Sequence, residues 1–222
     1  MSPWSAIRLS IEVGLWCTIL GTPVAVLVGW LLARRRFPGR TVLAMVLTAP
    51  LVLPPVVTGL LLLVLFSRSG PFGELGVPFS FAGAVTAAFV VGLPLYVMAA
   101  RSAFEAVDPR YEEVSWTLGV RPWRTFLRVT VPLALPGLAA GAVLAFARAL
   151  GEFGATAVLA GNMEGRTRTI SLAVYTLLES PGGEDAARVL VGASIAIGFA
   201  AMAGYEGFAR WQRRRLEMDR GR

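Results

Sequence analysis

Residues 104–136 read FEAVDPRYEEVSWTLGVRPWRTFLRVTVPLALP, and they form the one long polar interval in a sequence otherwise composed of apolar blocks. Acidic residues come first and arginines follow, while apolar side chains recur between them, as in amphipathic helices. Asp108-Pro109 predicts a helix start and residues 119–122 predict a turn, so we expect two short helices. Because apolar segments flank the interval on both sides, the pair is expected to lie on one face of a membrane.

The apolar blocks predict an all-α integral membrane protein with five transmembrane helices. Hydrophobic residues make up 55% of the 222 positions, whereas a soluble globular chain has about 45–50%. The excess lies in runs long enough to cross a bilayer, and we expect a single membrane domain over residues 1–222. Its third and fourth spans are joined by a loop at about residues 104–130. The spans are predicted at about residues 11–33, 43–66, 81–100, 133–157 and 187–209.

Two segments are expected to depart from a straight span. Pro50, Pro54 and Pro55 lie within the second span, and prolines remove backbone donors and bend a helix. That part is therefore expected to face other helices or a cavity rather than lipid. Residues 169–179 are apolar on one side but fall short of the about 20 residues that a spanning helix needs. They are predicted to lie at the outer interface or to dip into the fold.

The arginines orient the spans. All 21 basic residues are arginine. Four lie within residues 34–40, five within 101–130 and six within 210–222, against four in the other connecting segments. Since cytoplasmic loops carry the excess of basic residues, the N-terminus is predicted outside and the C-terminus in the cytoplasm. Residues 104–130 then lie in the cytoplasm. The same distribution argues against a nucleic-acid partner for a chain of formal charge +7.

Several classes of chemistry are excluded by what the sequence lacks. It has no histidine, which removes histidine acid–base catalysis, serine–histidine triads and histidine metal sites. Its single cysteine, Cys17, lies in an apolar span and is expected to be a small buried residue. The sequence also lacks lysine and any GxxxxGK[ST] loop, so it cannot hydrolyse ATP by that chemistry. We expect no catalytic residue, no metal and no cofactor.

The polar interval resembles the cytoplasmic coupling loop of ABC-importer permeases, whose pattern is Glu-Ala-Ala, three residues, Gly, nine residues, Ile-x-Leu-Pro. Here Glu113-Val114-Ser115, Gly119 and Val129-Thr130-Val131-Pro132 keep that spacing, with other residues at the alanines, isoleucine and leucine. An ordinary charged surface loop is the alternative. The resemblance implies that the loop docks in a cleft on an ATPase subunit. The implied coupling residues are Glu112, Glu113, Val114, Ser115, Gly119 and Pro132.

Arg148 and Glu152 are the charged residues predicted within the fourth span. They stand four positions apart, hence side by side on a continuous helix. A charge at that depth is costly unless it is paired or hydrated. Two interpretations stay open: a structural ion pair that locks the outer end of the span, or an Arg148 that favours the passage of an anion.

A narrower resemblance rests on four further stretches: PLVLPPVV at 50–57, LGEFGAT at 150–156, Gly161-Asn162, and GRTRT at 165–169. Together they closely resemble the permeases of molybdate importers, whereas sulfate permeases tend to show Glu-Tyr-Gly-Ser where this chain has Glu-Phe-Gly-Ala from Glu152. Tungstate is not distinguished from molybdate. The resemblance implies a pathway between two copies of the chain, a pair of ABC ATPase subunits, an external oxyanion-binding protein and the bacterial inner membrane. The implied pathway or gate residues are Pro54, Pro55, Arg148, Glu152 and Phe153.

Other functions stay open as alternatives. The first is the permease of a sulfate or other oxyanion importer. A second is a stand-alone carrier driven by an ion gradient, although its spans would hold few ionisable residues, chiefly Glu12, Arg148 and Glu152. A third is an intramembrane enzyme with a serine-based site. The basic tail at 210–222 is predicted to anchor the C-terminus in the cytoplasm, with contact to anionic lipid or to the ATPase as the alternative.

Overall fold

The computed structural model describes residues 3–220, and side chains only as far as Arg210. Within that range the secondary structure is helical, with no strand, which confirms the predicted all-α class. The side chains of the basic tail beyond Arg210 lie outside the described part. The α-helices are α1 (Pro3–Arg34), α2 (Arg40–Val52), α3 (Pro55–Phe66), α4 (Phe81–Glu105), α5 (Arg110–Thr117), α6 (Pro122–Thr125), α7 (Val131–Leu150), α8 (Gly154–Leu159), α9 (Ile170–Leu178) and α10 (Glu184–Arg220).

Up to five of the described segments are long and apolar enough to cross a membrane. Four are single stretches: Pro3–Arg34, Phe81–Glu105, Pro122–Leu150 and Glu184–Arg210. The fifth is α2 with α3, which meet at a bend of 115°. The bend follows from Pro54. The last hydrogen bond of α2 runs from Leu53 N–H to the Ala49 carbonyl, and Pro54 ends the series because it has no N–H and an extended backbone. The predicted bend therefore falls at Pro54 and Pro55, whereas Pro50 lies inside α2.

The fourth span differs from the expected helix at residues 133–157. Its helix α7 ends at Leu150, and a break at residues 151–153 precedes the short helix α8. Glu152 makes this break stable, because its Oε1 accepts a hydrogen bond of 2.8 Å from the backbone N–H of Ala155. A side chain that satisfies a free N–H at a helix start favours a new helix there. The span expected at about residues 133–157 therefore contains two helices, α7 and α8, with this break between them.

The polar interval also differs in part from the expected pair of short helices. The first is present as α5, which begins directly after Asp108-Pro109. The second, α6, is not a separate helix, because a π-helical turn at Phe126–Thr130 carries it straight into α7. The described span therefore starts at Pro122, ahead of the predicted start at residue 133.

Close packing of α1, α4 and α7 forms the centre of the chain. A Cβ placed on Gly29 of α1 would meet the Cβ of Ala100 at 2.7 Å, and one on Gly137 of α7 would meet that of Ala103 at 2.5 Å. Helices in membranes associate through such small residues because they let the backbones approach. Cys17 is buried at 2% exposure, as expected.

The short apolar segment after the fourth span forms helix α9, which is too short to span a membrane, as the length of the segment predicted. Its first residue, Ile170, donates its backbone N–H to Ser10 Oγ of α1 at 2.7 Å. Ile170, Ala173 and Leu177 are buried against Ala6 of α1 and Leu190 of α10. The helix thus packs on the N-terminal half of α1 and joins it to the last span.

Candidate functional site

Helix α5 begins where the sequence predicted, and local contacts explain why. Asp108 Oδ1 accepts a hydrogen bond of 2.9 Å from the backbone N–H of Arg110. Pro109 precedes the first helical residue, where its missing N–H costs nothing. Glu112 and Glu113 stand in the first turn, where negative charge is favoured by the helix dipole.

The two faces of α5 have opposite exposure. Glu112 and Ser115 are buried, at 9% and 7% exposure. On the other side Val114 is 58% exposed and Leu118, just beyond the helix, is 77% exposed. Exposed apolar side chains that cluster on one face mark an interaction site. We call this face, Tyr111, Glu113, Val114 and Leu118, the docking face. Trp116 is half-exposed but lines the cavity beneath α5.

A glycine ends the helix in a left-handed conformation. Gly119 has φ +77°, and a Cβ at this position would have nothing within 4 Å. The residue is therefore needed for its backbone conformation and not for a close contact. The chain then turns through Arg121 into Pro122, which opens α6.

Polar contacts attach the buried face of α5 to its surroundings. Ser115 Oγ lies 2.9 Å from Thr125 Oγ1 of α6. Glu112 Oε1 accepts a hydrogen bond of 2.9 Å from Thr130 Oγ1 and lies 3.3 Å from Nε of Arg34 at the end of α1. Arg34, Thr125 and Thr130 were missed by sequence reasoning, since nothing in the pattern of α5 identifies which distant residues face it.

The implied coupling residues fall into two groups. Glu113, Val114 and Gly119 are exposed, whereas Glu112 and Ser115 contact the chain's own interior. Pro132 is exposed in the first turn of α7, on the far side of the π-helical turn. The geometry therefore separates residues that can touch a partner from residues that hold α5 in place.

A second site lies at the break after α7. Arg148 Nη1 is 2.7 Å from Glu152 Oε2, so the two residues pair although α7 ends between them. Their burial is unequal, with side-chain exposures of 27% for Arg148 and 2% for Glu152. The carboxylate thus binds the arginine through one oxygen and the N-terminus of α8 through the other.

The break and the bend of the second span lie against each other. A Cβ on Gly154 would be 3.1 Å from Pro55 Cβ and from Val56 Cγ2. One on Gly59 of α3 would be 2.8 Å from Ala155 Cα. The structure therefore brings the prolines of the second span and the residues around Glu152 into one place.

Phe153 and Pro54 complete this group on the exposed side. Phe153 is 36% exposed, and the centre of its ring lies 5.2 Å from that of Tyr175 in α9, with the two rings tilted by 51°. Pro54 is exposed at the bend. The five implied gate residues thus lie in one region. Within it, the Arg148–Glu152 pair is less exposed than Pro54 and Phe153.

The segment before α9 is held by its own polar contacts. Arg168 Nε donates to Asn162 Oδ1 at 2.7 Å, and Asn162 Nδ2 donates to Thr176 Oγ1 of α9 at 2.8 Å. Gly161 and Gly165 have φ of +75° and +74°, which the turns require. Sequence analysis used Gly161-Asn162 and residues 165–169 only for the family resemblance, and it did not predict these contacts.

The apolar spans and the bent second span are the features of a multi-spanning membrane protein, with an exposed helix between the third and fourth spans. Residues 25–216 match the family described as binding-protein-dependent transport system inner membrane component, and the chain belongs to this family. It is accordingly the membrane component of a transport system that depends on a binding protein, located in the inner membrane.

Curated relatives match nearly the whole chain. The chain is 47% identical over 219 residues to the molybdenum transport system permease protein ModB of Escherichia coli K12, covering 96% of each. It is 46% identical over 188 residues to ModB of Haemophilus influenzae, covering 82% of each. The sulfate transport system permease protein CysT of Escherichia coli K12 is 37% identical over 182 residues, covering 78% of this chain and 66% of that protein.

Solved transporters share the fold. An inward-facing structure of the MetNI methionine ABC transporter aligns with a TM-score of 0.72 at 17% identity, covering 95% of this chain and 94% of that one. A bacterial ABC transporter for the acidic polysaccharide alginate aligns with a TM-score of 0.67 at 16% identity, covering 95% and 78%. The predicted importer-permease architecture is thereby confirmed.

Proposed function

We propose that the chain is the membrane-spanning permease subunit of an ATP-driven importer for molybdate and tungstate. The observation that carries this proposal is the 47% identity to a molybdenum permease along 96% of both chains. That alignment spans the docking face and the gate region alike. The sulfate permease is a more distant relative, at 37% identity, so sulfate is the second candidate cargo.

ATP hydrolysis is assigned to a separate ATPase subunit. The sequence has no lysine and no phosphate-binding glycine loop with which to hydrolyse ATP itself. The docking face supplies exposed apolar side chains with an acidic residue among them, a surface suited to a protein partner. We assign this face to the cytoplasm, as the arginine distribution predicts, and to the ATPase cleft.

The pathway is assigned to a pair of identical chains. The spans of one small chain can hardly enclose a passage for a hydrated divalent anion, and the two-fold dimer is the commonest symmetric assembly among soluble oligomers. The apolar surface of α2, which has no buried residue, is available for lipid or for a second copy. An external oxyanion-binding protein delivers the cargo to the opposite side.

Transport then follows from the position of the two sites. ATP-driven closure of the ATPase pair displaces α5, and the displacement reorients the spans from inward-facing to outward-facing. The region of Pro54, Pro55 and Phe153 acts as the gate, with the Arg148–Glu152 pair beside it. The anion leaves the binding protein, crosses between the two copies and is released into the cytoplasm after hydrolysis.

The test is ATP-driven uptake into proteoliposomes that contain this chain, its ATPase and its binding protein. Labelled molybdate competes with tungstate, sulfate or phosphate at equal concentration. Uptake that requires ATP and is blocked by tungstate but not by sulfate supports the proposal. Equal competition by sulfate contradicts the cargo assignment, and uptake by this chain without the ATPase contradicts the division of labour.

A further inference from the structure

Helix α5 is attached to the rest of the chain by polar contacts. Its buried residues are Glu112 and Ser115, and both are polar. A helix normally packs through an apolar stripe on one face. Because α5 turns its apolar residues outward instead, its position depends on the few hydrogen bonds and charges beneath it.

The contact with α1 joins two buried charges. Arg34, the last residue of α1, and Glu112 lie 3.3 Å apart, with side-chain exposures of 13% and 11%. Arg34 Nη2 also donates to the backbone carbonyl of Val107 at 2.6 Å, in the connection between α4 and α5. Among the described residues Nε of Arg34 makes no hydrogen bond, so the attraction between two largely buried charges is what holds this pair together.

The same carboxylate reaches a third element. Thr130 Oγ1, at the end of the π-helical turn that leads into α7, donates to Glu112 Oε1 at 2.9 Å. Thr130 is buried at 1% exposure. One carboxylate oxygen therefore joins α5 to both α1 and α7, the two helices that pack closely with α4 at the centre of the fold.

Apolar packing does not supply this link. A cavity of about 600 Å³ lies between the end of α1 and the helices α5 and α6, with Trp30, Arg34, Glu112 and Trp123 in its wall. An open space transmits no displacement, whereas the Arg34–Glu112 ion pair and the hydrogen bond from Thr130 to Glu112 connect the elements that border it directly. By contrast, the ion pairs Arg8–Glu12 and Glu206–Arg210 each lie within one helix.

We propose that Arg34, Glu112 and Thr130 form a positioning device, which we call the α1–α5–α7 tie. It makes a displacement of the docking face move the ends of α1 and α7 together. This inference rests on the proposed function, in which α5 receives that displacement from an ATPase. Its consequence is that loss of the tie lets ATP be hydrolysed without a matching import of anion.

The first experiment compares two double variants of the reconstituted complex. Arg34→Gln with Glu112→Gln removes both charges at once, so no unpaired buried charge remains to unfold the chain. Glu206→Gln with Arg210→Gln removes an exposed ion pair from α10 and is the matched control. Anion uptake and ATP hydrolysis are measured in the same vesicles, and their ratio is reported.

We expect the uptake per ATP to fall by about fivefold or more in the Arg34/Glu112 variant, with hydrolysis retained. The control should keep the wild-type ratio. A wild-type ratio in the Arg34/Glu112 variant would overturn the inference, because the tie would then be dispensable.

A second experiment restores the tie by a covalent bond. Cys17 is the only cysteine, so Cys17→Ala gives a background for Arg34→Cys with Glu112→Cys. The reduced variant should be uncoupled, and a short bifunctional thiol reagent should return uptake per ATP toward wild type. Loss of uptake on cross-linking would overturn the inference, since α1 and α5 would then have to separate during the cycle.

A readout independent of transport separates this inference from the proposed function. A spin label at Thr117, on the exposed end of α5, should gain mobility in the Arg34/Glu112 variant and not in the control. Unchanged mobility would contradict the tie. A wild-type complex without ATP-driven uptake would instead contradict the proposed function, while the label still decides whether the tie exists.

Discussion

Nη1 of Arg148 lies 2.7 Å from Oε2 of Glu152, across the point where α7 ends. The pair is asymmetric, because Glu152 is almost fully enclosed while Arg148 keeps 27% of its side-chain surface exposed. An unpaired arginine at this place would keep part of its surface outside the chain, whereas an unpaired carboxylate would be enclosed by it. The two charges should therefore differ in what their removal costs.

We expect Arg148→Gln to lower the free energy of unfolding by about 3–5 kcal/mol, the range for a buried pair that loses one partner. Glu152→Gln should cost less, since the amide oxygen can still accept from Ala155 N–H and the arginine left behind is not fully enclosed. Thermal unfolding of the purified chain in detergent measures both.

The double variant Arg148→Gln with Glu152→Gln separates the two functions considered for this pair. If the pair is structural, removal of both charges should recover most of the stability and most of the uptake. Stability that recovers while molybdate uptake stays low would instead show that Arg148 acts on the anion itself.

Gly119→Ala tests the left-handed end of α5. The variant should lose about 1–2 kcal/mol, because an L-residue at φ +77° is strained even with free space around its Cβ. Gly39 is the matched control, since it has φ +90° and equally free space, but lies between α1 and α2. Both variants should lose similar stability, and only Gly119→Ala should co-purify with less ATPase. Equal ATPase recovery from both would contradict a special function of the turn.

Leu118→Asp tests the docking face itself. Leu118 is 77% exposed, so the substitution should change stability by no more than about 0.5 kcal/mol. ATPase binding, measured by co-purification, should nevertheless be lost. Leu75→Asp is the control, because Leu75 is 66% exposed in the segment between α3 and α4. A docking face elsewhere would leave Leu118→Asp with normal binding.

Gly59→Ala tests the contact between the bent second span and the break. The added Cβ would lie 2.8 Å from Ala155 Cα and 2.9 Å from its carbonyl oxygen, and backbone atoms cannot step aside. We expect a loss of about 1–3 kcal/mol. Gly192→Ala in α10 meets nothing within 4 Å and should gain up to about 1 kcal/mol from helix propensity. The unfolding midpoints of the two variants should therefore move in opposite directions.

Most of the fold could be predicted from three sequence features: the apolar runs, the prolines of the second span and the helix start at Asp108-Pro109. Each of these features determines local structure through residues close in sequence. The break at residues 151–153 was harder to predict. Gly151 and Gly154 are compatible with a bend around Glu152. Only the bond from Ala155 N–H to Glu152 shows that a new helix starts there. The π-helical turn left no signal that a periodicity of 3.6 could detect.

The motif spacing predicted that residues 113–119 take part in docking, and that stays a prediction. The contacts beneath α5 could not be predicted from spacing. Glu112 and Ser115 belong to the same motif as Glu113 and Val114, and only the fold shows that they point inward. In the sequence, Arg34 was interpreted only as part of the basic segment that follows the first span. Its pairing with Glu112 depends on how α1 packs against the polar interval, which local patterns do not contain.

The π-helical turn at Phe126–Thr130 sets the angular register of the fourth span. Its backbone bond from Val131 N–H to the Phe126 carbonyl takes in one residue more than an α-helical turn. An extra residue rotates everything beyond it by about 100°. Hybrid permeases that exchange coupling helices must therefore place their junctions outside Phe126–Thr130. A graft that replaced the turn by a regular helix would present its docking face about 100° away from its intended ATPase.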